Sequence, residues 1–276
     1  MPFLGVAIAV LVLALLFVLA IKPTSRKHAL TEEIKKYRYA HRGLFSSEKN
    51  IPENSLAAFR AAIDNGYGFE LDVHLTADKK LAVIHDSSLL RTADVDIDVS
   101  KVTYDEIASY PLEGTRENIP LFEEVLALNA GRVPMIVEIK TDDGNAGEIA
   151  AKVIDALEGY SGVFCIESFY PDVLLALKKI SPDVMRGQLS CDVRRTDKGF
   201  SKIKNFVLKN LLTNFLTKPD FIAYAHEDRE DFSFSLCRAL YSPTEFLWTV
   251  KDKTTLEKAE SVGAGIIFDG FDPREK

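Results

Sequence analysis

Ionisable residues fall in pairs along this 276-residue chain. His41 and Arg42 are adjacent, and His85 is followed by Asp86. Glu70 and Asp72 are two apart, as are Glu138 and Lys140. A two-residue step along a strand turns both side chains to one face. Three carboxylates on two neighbouring strands, Glu70, Asp72 and Glu138, suit a hard cation such as Mg2+ or Ca2+. No thiolate joins them, which disfavours a structural zinc site. His41 and His85 form an acid and base pair able to work near neutral pH. Arg42 and Lys140 bring positive charge for an anionic substrate or for charge that develops in a transition state. A metal, two imidazoles and two basic groups together describe phosphoryl-group chemistry better than other reaction classes.

Taken singly, each group has a plainer explanation. Glu138 and Lys140 could be a buried ion pair, His85 a satisfied core histidine, and Glu70 with Asp72 partners of Arg42. Jointly, those explanations must account for charged groups at the ends of three consecutive strands, where unpaired burial is costly. His74 is expected to face away from Asp72 and is left out of the site. His28 and His226 read as surface groups.

These residues need strands to hold them. Short apolar runs at 37–41, 68–73 with 81–85, 135–140, 162–167, 185–189, 220–224, 246–250 and 265–268 read as strands. Amphipathic segments between them, at 55–65, 121–129, 146–157, 170–180, 201–216, 233–240 and 253–261, read as helices. Asn54 fits as a helix N-cap. The alternation favours a parallel sheet covered by helices, and a doubly wound open sheet would show it equally. Residues 31–276, taken as the catalytic domain, are close in number to the roughly 250 of a (β/α)8 barrel. Residues 86–118 break the rhythm and read as an insertion after the second strand, at the rim where barrel enzymes build their sites.

Composition sets the remaining bounds. Hydrophobic residues are 47% and charged residues 27%, enough for a sizeable core and unlike a disordered chain. With 34 basic against 41 acidic residues the net charge is −7, which argues against nucleic acid as a partner. No protein partner is implied. Cys165, Cys191 and Cys237 lack metal-type spacing and read as free thiols of a reducing compartment. Residues 3–21 are uncharged and apolar, and as a helix would cover roughly 28 Å, close to a bilayer's hydrocarbon thickness. No Lys or Arg precedes them, as a signal peptide would want. Lys22, Arg26, Lys27, Lys35, Lys36 and Arg38 follow. Residues 1–30 are therefore expected to form a single-pass transmembrane anchor with its basic flank, keeping the catalytic domain cytoplasmic. Residues 200–216 form a basic amphipathic stretch, expected as an ordinary outer helix with lipid contact as the alternative.

The segment 40–86, AHRGLFSSEKNIPENSLAAFRAAIDNGYGFELDVHLTADKKLAVIHD, resembles the signature of glycerophosphodiester phosphodiesterases. His-Arg-Gly, Pro-Glu-Asn-Ser, Glu-x-Asp-Val, Thr-x-Asp and His-Asp occur in order, and Glu138-Ile139-Lys140 matches the later Glu-x-Lys. The likeness continues through Glu167-Ser168-Phe169, Trp248-Thr249-Val250 and Gly265-Ile266-Ile267. It implies a TIM barrel with an insertion after the second strand. It implies that Glu70, Asp72 and Glu138 bind one divalent metal, Mg2+ or Ca2+. It further implies that His41 and His85 are the general acid and base and that Arg42 and Lys140 hold phosphate. Trp248 could pack against the glycerol backbone or simply fill the barrel. The implied reaction is hydrolysis of a glycerophosphodiester to an alcohol and glycerol 3-phosphate. Alternatives are a lysophospholipase D acting at the membrane, a phospholipase C-like enzyme that stops at the cyclic product, and a catalytically silent tethered binding module. Two positions depart from the family pattern: Lys251 stands in place of Asn, and Phe268 in place of a small polar residue. Both are expected at the rim, where they bear on substrate choice.

Overall fold

The apolar runs become nine strands among the residues described by the computed structural model, which are 2–141, 144–192 and 201–274. They are β1 (Arg38–Ala40), β2 (Gly68–Leu75), β3 (Leu81–Val83), β4 (Met135–Ile139), β5 (Phe164–Ser168), β6 (Arg186–Ser190), β7 (Phe221–Ala225), β8 (Thr244–Val250) and β9 (Gly265–Phe268). Eight of them pair in parallel in the order β1-β2-β4-β5-β6-β7-β8-β9, and β9 pairs back with β1. Closure makes this a TIM barrel and removes the open-sheet alternative. The short β1 pairs with β2 only as far as Phe69, so the far end of β2 has a free edge. The antiparallel strand β3 takes that edge through Val73, His74 and Leu75.

Side-chain alternation builds two apolar layers. Outward residues such as Phe69, Leu71, Val73, Val137 and Ile266 pack beneath the helices. Inward residues, among them Tyr39, Ile136, Phe221, Phe246 and Ile267, fill the barrel. Gly187 makes room for this filling, since a Cβ there would fall 2.2 Å from the Phe221 ring. The segment between β3 and the helix Phe122–Asn129 carries its own small core, with Ile84, Leu89, Val99, Ile107, Leu112 and Ile119 buried together.

Three local expectations are corrected. Ser55, not Asn54, caps the helix Leu56–Asp64, accepting from the Ala58 N–H. Asn54 adopts a left-handed backbone (φ 53°) that sends its amide toward Asp72 instead. The helix expected over 201–216 is two helices, Lys202–Lys209 and Asn214–Thr217, and Phe200, the start of the amphipathic stretch, lies outside the described residues. Leu211 takes φ 57° at the break and is wholly buried with Ile222 and Tyr224. Phe268 is not at the rim: it lies under the helices, edge-on to Tyr67 at 5.0 Å.

The N-terminal helix Pro2–Ala20 is exposed along residues 3–16 and long and apolar enough to cross a membrane. Its end is welded to the barrel. Ile21 is wholly buried with Leu211, Ile222, Tyr224 and Phe234. The Thr24 N–H donates to Pro219 O at 3.2 Å. Arg26 makes a two-pronged contact with Asp220, at 2.6 and 2.8 Å. The short helix Thr31–Ile34 then inserts Ile34 among the inward-facing residues, and the Tyr39 hydroxyl donates to Ile34 O at 2.9 Å. Ile21→Ala is expected to cost about 2–5 kcal/mol, the usual range for emptying a core site. Denaturant unfolding of the detergent-solubilised chain measures it; a loss of only a few tenths would mean that the segment is a free linker.

Candidate active site

Inward positions near the strand C-termini hold the charged groups. On β2, Glu70, Asp72 and His74 face inward while Leu71 and Val73 face the helices. His74 was expected on the other face, but a two-residue step keeps it on the face of Asp72. Its Nε2 contacts His85 O at 3.1 Å, and it lines the same cavity. On β4, Glu138 stands directly beside Asp72 in the register. Glu70, Asp72 and Glu138 are buried, and one oxygen of each lies within 4.8 Å of the others.

The site's cations hold this acidic cluster together. Lys140 Nζ lies 2.9 Å from Asp72 Oδ1 and 2.6 Å from Glu138 Oε1. The Arg42 N–H donates to Glu70 Oε2 at 2.9 Å from a left-handed backbone (φ 57°), a strained conformation for a non-glycine residue. Gly43 follows at φ 79°, where a Cβ would collide with Ala58 at 2.8 Å. Asn54 Nδ2 donates to Asp72 Oδ2 at 2.8 Å. Burial pushes the Asp72 carboxyl up, but Lys140, His85 and Arg42 outweigh it and hold the group well below the usual carboxylate range. Glu70 goes the other way. Burial, then the charges of Asp72, Glu138 and Glu167, push it well above that range.

Glu70 Oε1 is buried and has no hydrogen-bond partner among the described residues. An orphaned carboxylate oxygen in an all-oxygen set, with its neighbours' negative charge unbalanced, fits a hard divalent cation. The residues present therefore suit the metal that the sequence implied.

Each histidine is oriented by a carboxylate. His41 Nδ1 is 3.0 Å from Asp269 Oδ2, and its Nε2 is 4.0 Å from Glu70 Oε2. His85 Nδ1 is 2.6 Å from Asp86 Oδ1. Such a contact fixes the proton on Nδ1 and leaves Nε2 as the nitrogen that exchanges protons. Burial, then the Arg42 charge, lowers the His41 pKa. Burial, then Lys140, brings His85 down to about 4. Both imidazoles are neutral at pH 7.

A chain of ion pairs ties the insertion to this site. Arg91 Nε donates to Asp86 Oδ2 at 2.5 Å, and its Nη2 donates to Glu53 Oε1 at 2.6 Å. Glu53 in turn accepts from Arg42 Nη1 at 2.9 Å. Most of these groups surround one cavity of about 610 Å³, which Glu167, Phe169, Tyr170, Trp248 and Lys251 also line. Trp248 meets Phe169 edge-on at 5.6 Å. Seven of the eight residues singled out from the sequence, His41, Arg42, Glu70, His85, Glu138, Lys140 and Trp248, thus border one space, and the eighth, Asp72, is wholly buried 2.9 Å from Lys140. Sequence reasoning missed Glu53, Asn54, Arg91 and Asp269 as parts of it. For Glu53 and Asn54 the signal was available, since both belong to the Pro-Glu-Asn-Ser motif. For Arg91 and Asp269 no spacing rule would have found them.

Fold and site define a barrel with carboxylates, imidazoles and cations gathered at its C-terminal mouth, the usual place of a barrel enzyme's active site. The sequence profile of the glycerophosphoryl diester phosphodiesterase family matches residues 41–271, and the chain belongs to that family. A glycerophosphodiester phosphodiesterase of Bacillus altitudinis is 35% identical over 166 residues, 56% of this chain and 66% of the relative. The lysophospholipase D GDPD1 of Rattus norvegicus is 32% identical over 48% of this chain and 46% of its own length. The alignments thus span just under two thirds of the Bacillus relative and about half of the rat one. An Oleispira antarctica phosphodiesterase, solved with the product sn-glycerol-3-phosphate, shares the fold at TM-score 0.70 and 21% identity, covering 87% of this chain and 94% of that one. A glycerophosphodiester phosphodiesterase of Thermotoga maritima superposes at TM-score 0.62 with 25% identity, covering 83% of this chain and 92% of that one.

Removing one charge from the acidic cluster relieves repulsion. Glu70→Gln is expected to raise the melting temperature of the metal-stripped protein. It should also shrink the rise that Mg2+, Ca2+ or Mn2+ produces in the wild type. Thermal unfolding with and without each ion reads both effects; an equal ion-induced rise in the variant would remove Glu70 from the ligand set.

Proposed function

We propose that the chain is a metal-dependent phosphodiesterase that hydrolyses glycerophosphodiesters to an alcohol and glycerol 3-phosphate. The observation that carries this reading is the orphaned Glu70 oxygen, within a three-carboxylate cluster that shares one cavity with two neutral, carboxylate-oriented histidines. The bound product named for the Oleispira neighbour and the activities named for the matched relatives support it.

Glu70, Asp72 and Glu138 would hold a divalent cation, Mg2+ or Ca2+. When bound it would polarise the phosphoryl oxygens and help acidify a nearby hydroxyl. Arg42 and Lys140 hold the phosphate by charge-assisted hydrogen bonds. Trp248 and Phe169 form an apolar wall against the glycerol backbone. One of the two histidines, through Nε2, takes the proton of the glycerol 2-hydroxyl as that oxygen bonds to phosphorus. The bond from phosphorus to the alcohol oxygen breaks, and the other histidine, in the minority form that carries a proton on both nitrogens, gives that oxygen its Nε2 proton. In the second half the roles reverse. Water loses a proton to the second histidine as it attacks phosphorus. The 2-oxygen leaves with the proton of the first, giving glycerol 3-phosphate. A nucleophile within the substrate gains from proximity.

The same site could serve lysophospholipids as a lysophospholipase D. The membrane-length N-terminal helix favours that variant, as does the likeness to a relative named for the activity. In this reading residues 1–20 are a single-pass anchor, residues 21–30 pack on the barrel, and the barrel faces the cytoplasm.

The deciding assay uses purified full-length protein, stripped of metal and resupplied with Mg2+, Ca2+ or Mn2+, on a panel of diesters. Turnover of glycerophosphocholine without turnover of lysophosphatidylcholine would reject the lipid variant. No turnover of any diester with any ion would reject the enzyme. His41→Ala and His85→Ala are each expected to lower kcat about 10²–10⁴-fold with the fold intact, as loss of a general acid or base does. Because His85 titrates near 4 rather than 6.5, the acid-side fall in kcat/KM should lie well below pH 6. A half-maximal point near 6.5 in a pH–rate profile would contradict that environment.

A further inference from the structure

Among the described residues beyond the N-terminal helix, the three most exposed large apolar side chains are Ile203, Phe206 and Phe232, on the flank where that helix meets the barrel. Ile203 is 78% and Phe206 60% exposed, one turn apart on the same face of the helix Lys202–Lys209. Asn205 and Leu208, on its other face, are buried. Phe232, at the start of the helix Phe232–Tyr241, is 73% exposed. Lys209 Nζ reaches Asp231 Oδ2 at 3.1 Å, and the Ser233 hydroxyl donates to Asn210 Oδ1, so the C-terminal end of the first helix meets the N-terminal end of the second. An outer barrel helix normally turns polar residues to water.

The patch is continuous with the N-terminal helix. Phe232 stacks on Phe17 with ring centroids 6.1 Å apart. The Tyr241 hydroxyl donates to Val18 O at 2.8 Å. Asn214 Nδ2 donates to Ile21 O at 3.2 Å, which brings the half-exposed Phe215 and Leu216 to the same flank. The apolar span runs Phe3–Ala20, so Phe17 lies about 4.5 Å inside its end at helical rise. A barrel that touches Phe17 and Val18 cannot stand clear of the surface that this helix enters. Lys202 and Lys204 flank Ile203, and Lys22 sits over the Tyr241 ring at 5.9 Å. Apolar residues rimmed by lysines match an acyl boundary beneath anionic headgroups.

We propose that Ile203, Phe206 and Phe232 form a second membrane contact that lays the barrel on the bilayer spanned by its own N-terminal helix. The contact fixes the barrel's tilt. It also brings one wall of the catalytic cavity to the lipid, because Lys204 Nζ lies 4.4 Å from the ring of Tyr170, a cavity-lining residue. A substrate whose alcohol carries an acyl chain could then enter from the bilayer. The inference rests on the membrane reading of the N-terminal helix, and the test separates the two.

All three native cysteines are buried, so an introduced one can be labelled selectively. Full-length Ile203→Cys, Phe206→Cys, Leu11→Cys and Arg60→Cys would each carry an environment-sensitive fluorophore. Arg60 is exposed on the helix Leu56–Asp64, across the barrel. Each protein is reconstituted into phosphatidylcholine vesicles containing phosphatidylglycerol, with or without nitroxide-labelled lipid. The 203 and 206 probes should lose about half or more of their emission, as the Leu11 probe does, while the Arg60 probe is unchanged. Quenching at 11 but not at 203 or 206 overturns the docking face and leaves the anchor standing. No quenching at 11 overturns the anchor and the inference with it. Equal quenching at 60 overturns the proposed orientation.

Discussion

Three carboxylates share a buried space too small for their mutual repulsion, and much of the surrounding structure answers that constraint. Lys140 spans Asp72 and Glu138, Arg42 gives its backbone N–H to Glu70, and Asn54 gives its amide to Asp72. These contacts pair Asp72 with Lys140 and Asn54 and leave Glu70 with an unmatched oxygen and a strong preference for its neutral form. A folded chain that tolerates such a group spends stability at a place where a cation would recover it.

The histidines depend on the same arrangement at one remove. Carboxylates orient both, but they reach those carboxylates from opposite ends of the chain. Asp269 follows the last strand, and Asp86 opens the insertion. Arg91 then joins Asp86 to Glu53, and Glu53 joins Arg42. The insertion is thus wired to the Arg42 side of the cavity through charged pairs that run from the exposed Arg91 inward to Glu53 and Arg42, the last pair being shielded from water and so less screened. Barrel closure makes this possible, because it brings β9 beside β1 and so carries Asp269 to His41.

The N-terminal segment has a structural role besides carrying a helix long and apolar enough to cross a membrane. Ile21, Arg26 and Ile34 tie it successively to the helix layer, to the loop before β7 and to the barrel interior. A flexible tether would leave the barrel free to tumble. A welded one transmits the helix's tilt to the catalytic mouth.

Much of the site was legible from residue order alone, because strand alternation is a local rule. Glu70 with Asp72 and Glu138 with Lys140 had to share faces wherever the strands lay. The same rule, applied correctly, would have placed His74 with them. Helix positions were legible too, from apolar periodicity, although the break at Leu211 was not: a left-handed residue there is chosen by the cluster around Ile21, which lies far away in sequence. Closure of the sheet, the approach of Asp269 to His41, the capture of Glu53 by two arginines and the outward burial of Phe268 beneath the helices were decided only by tertiary structure. Each joins residues distant along the chain, and such contacts follow from how the barrel shuts rather than from local preference.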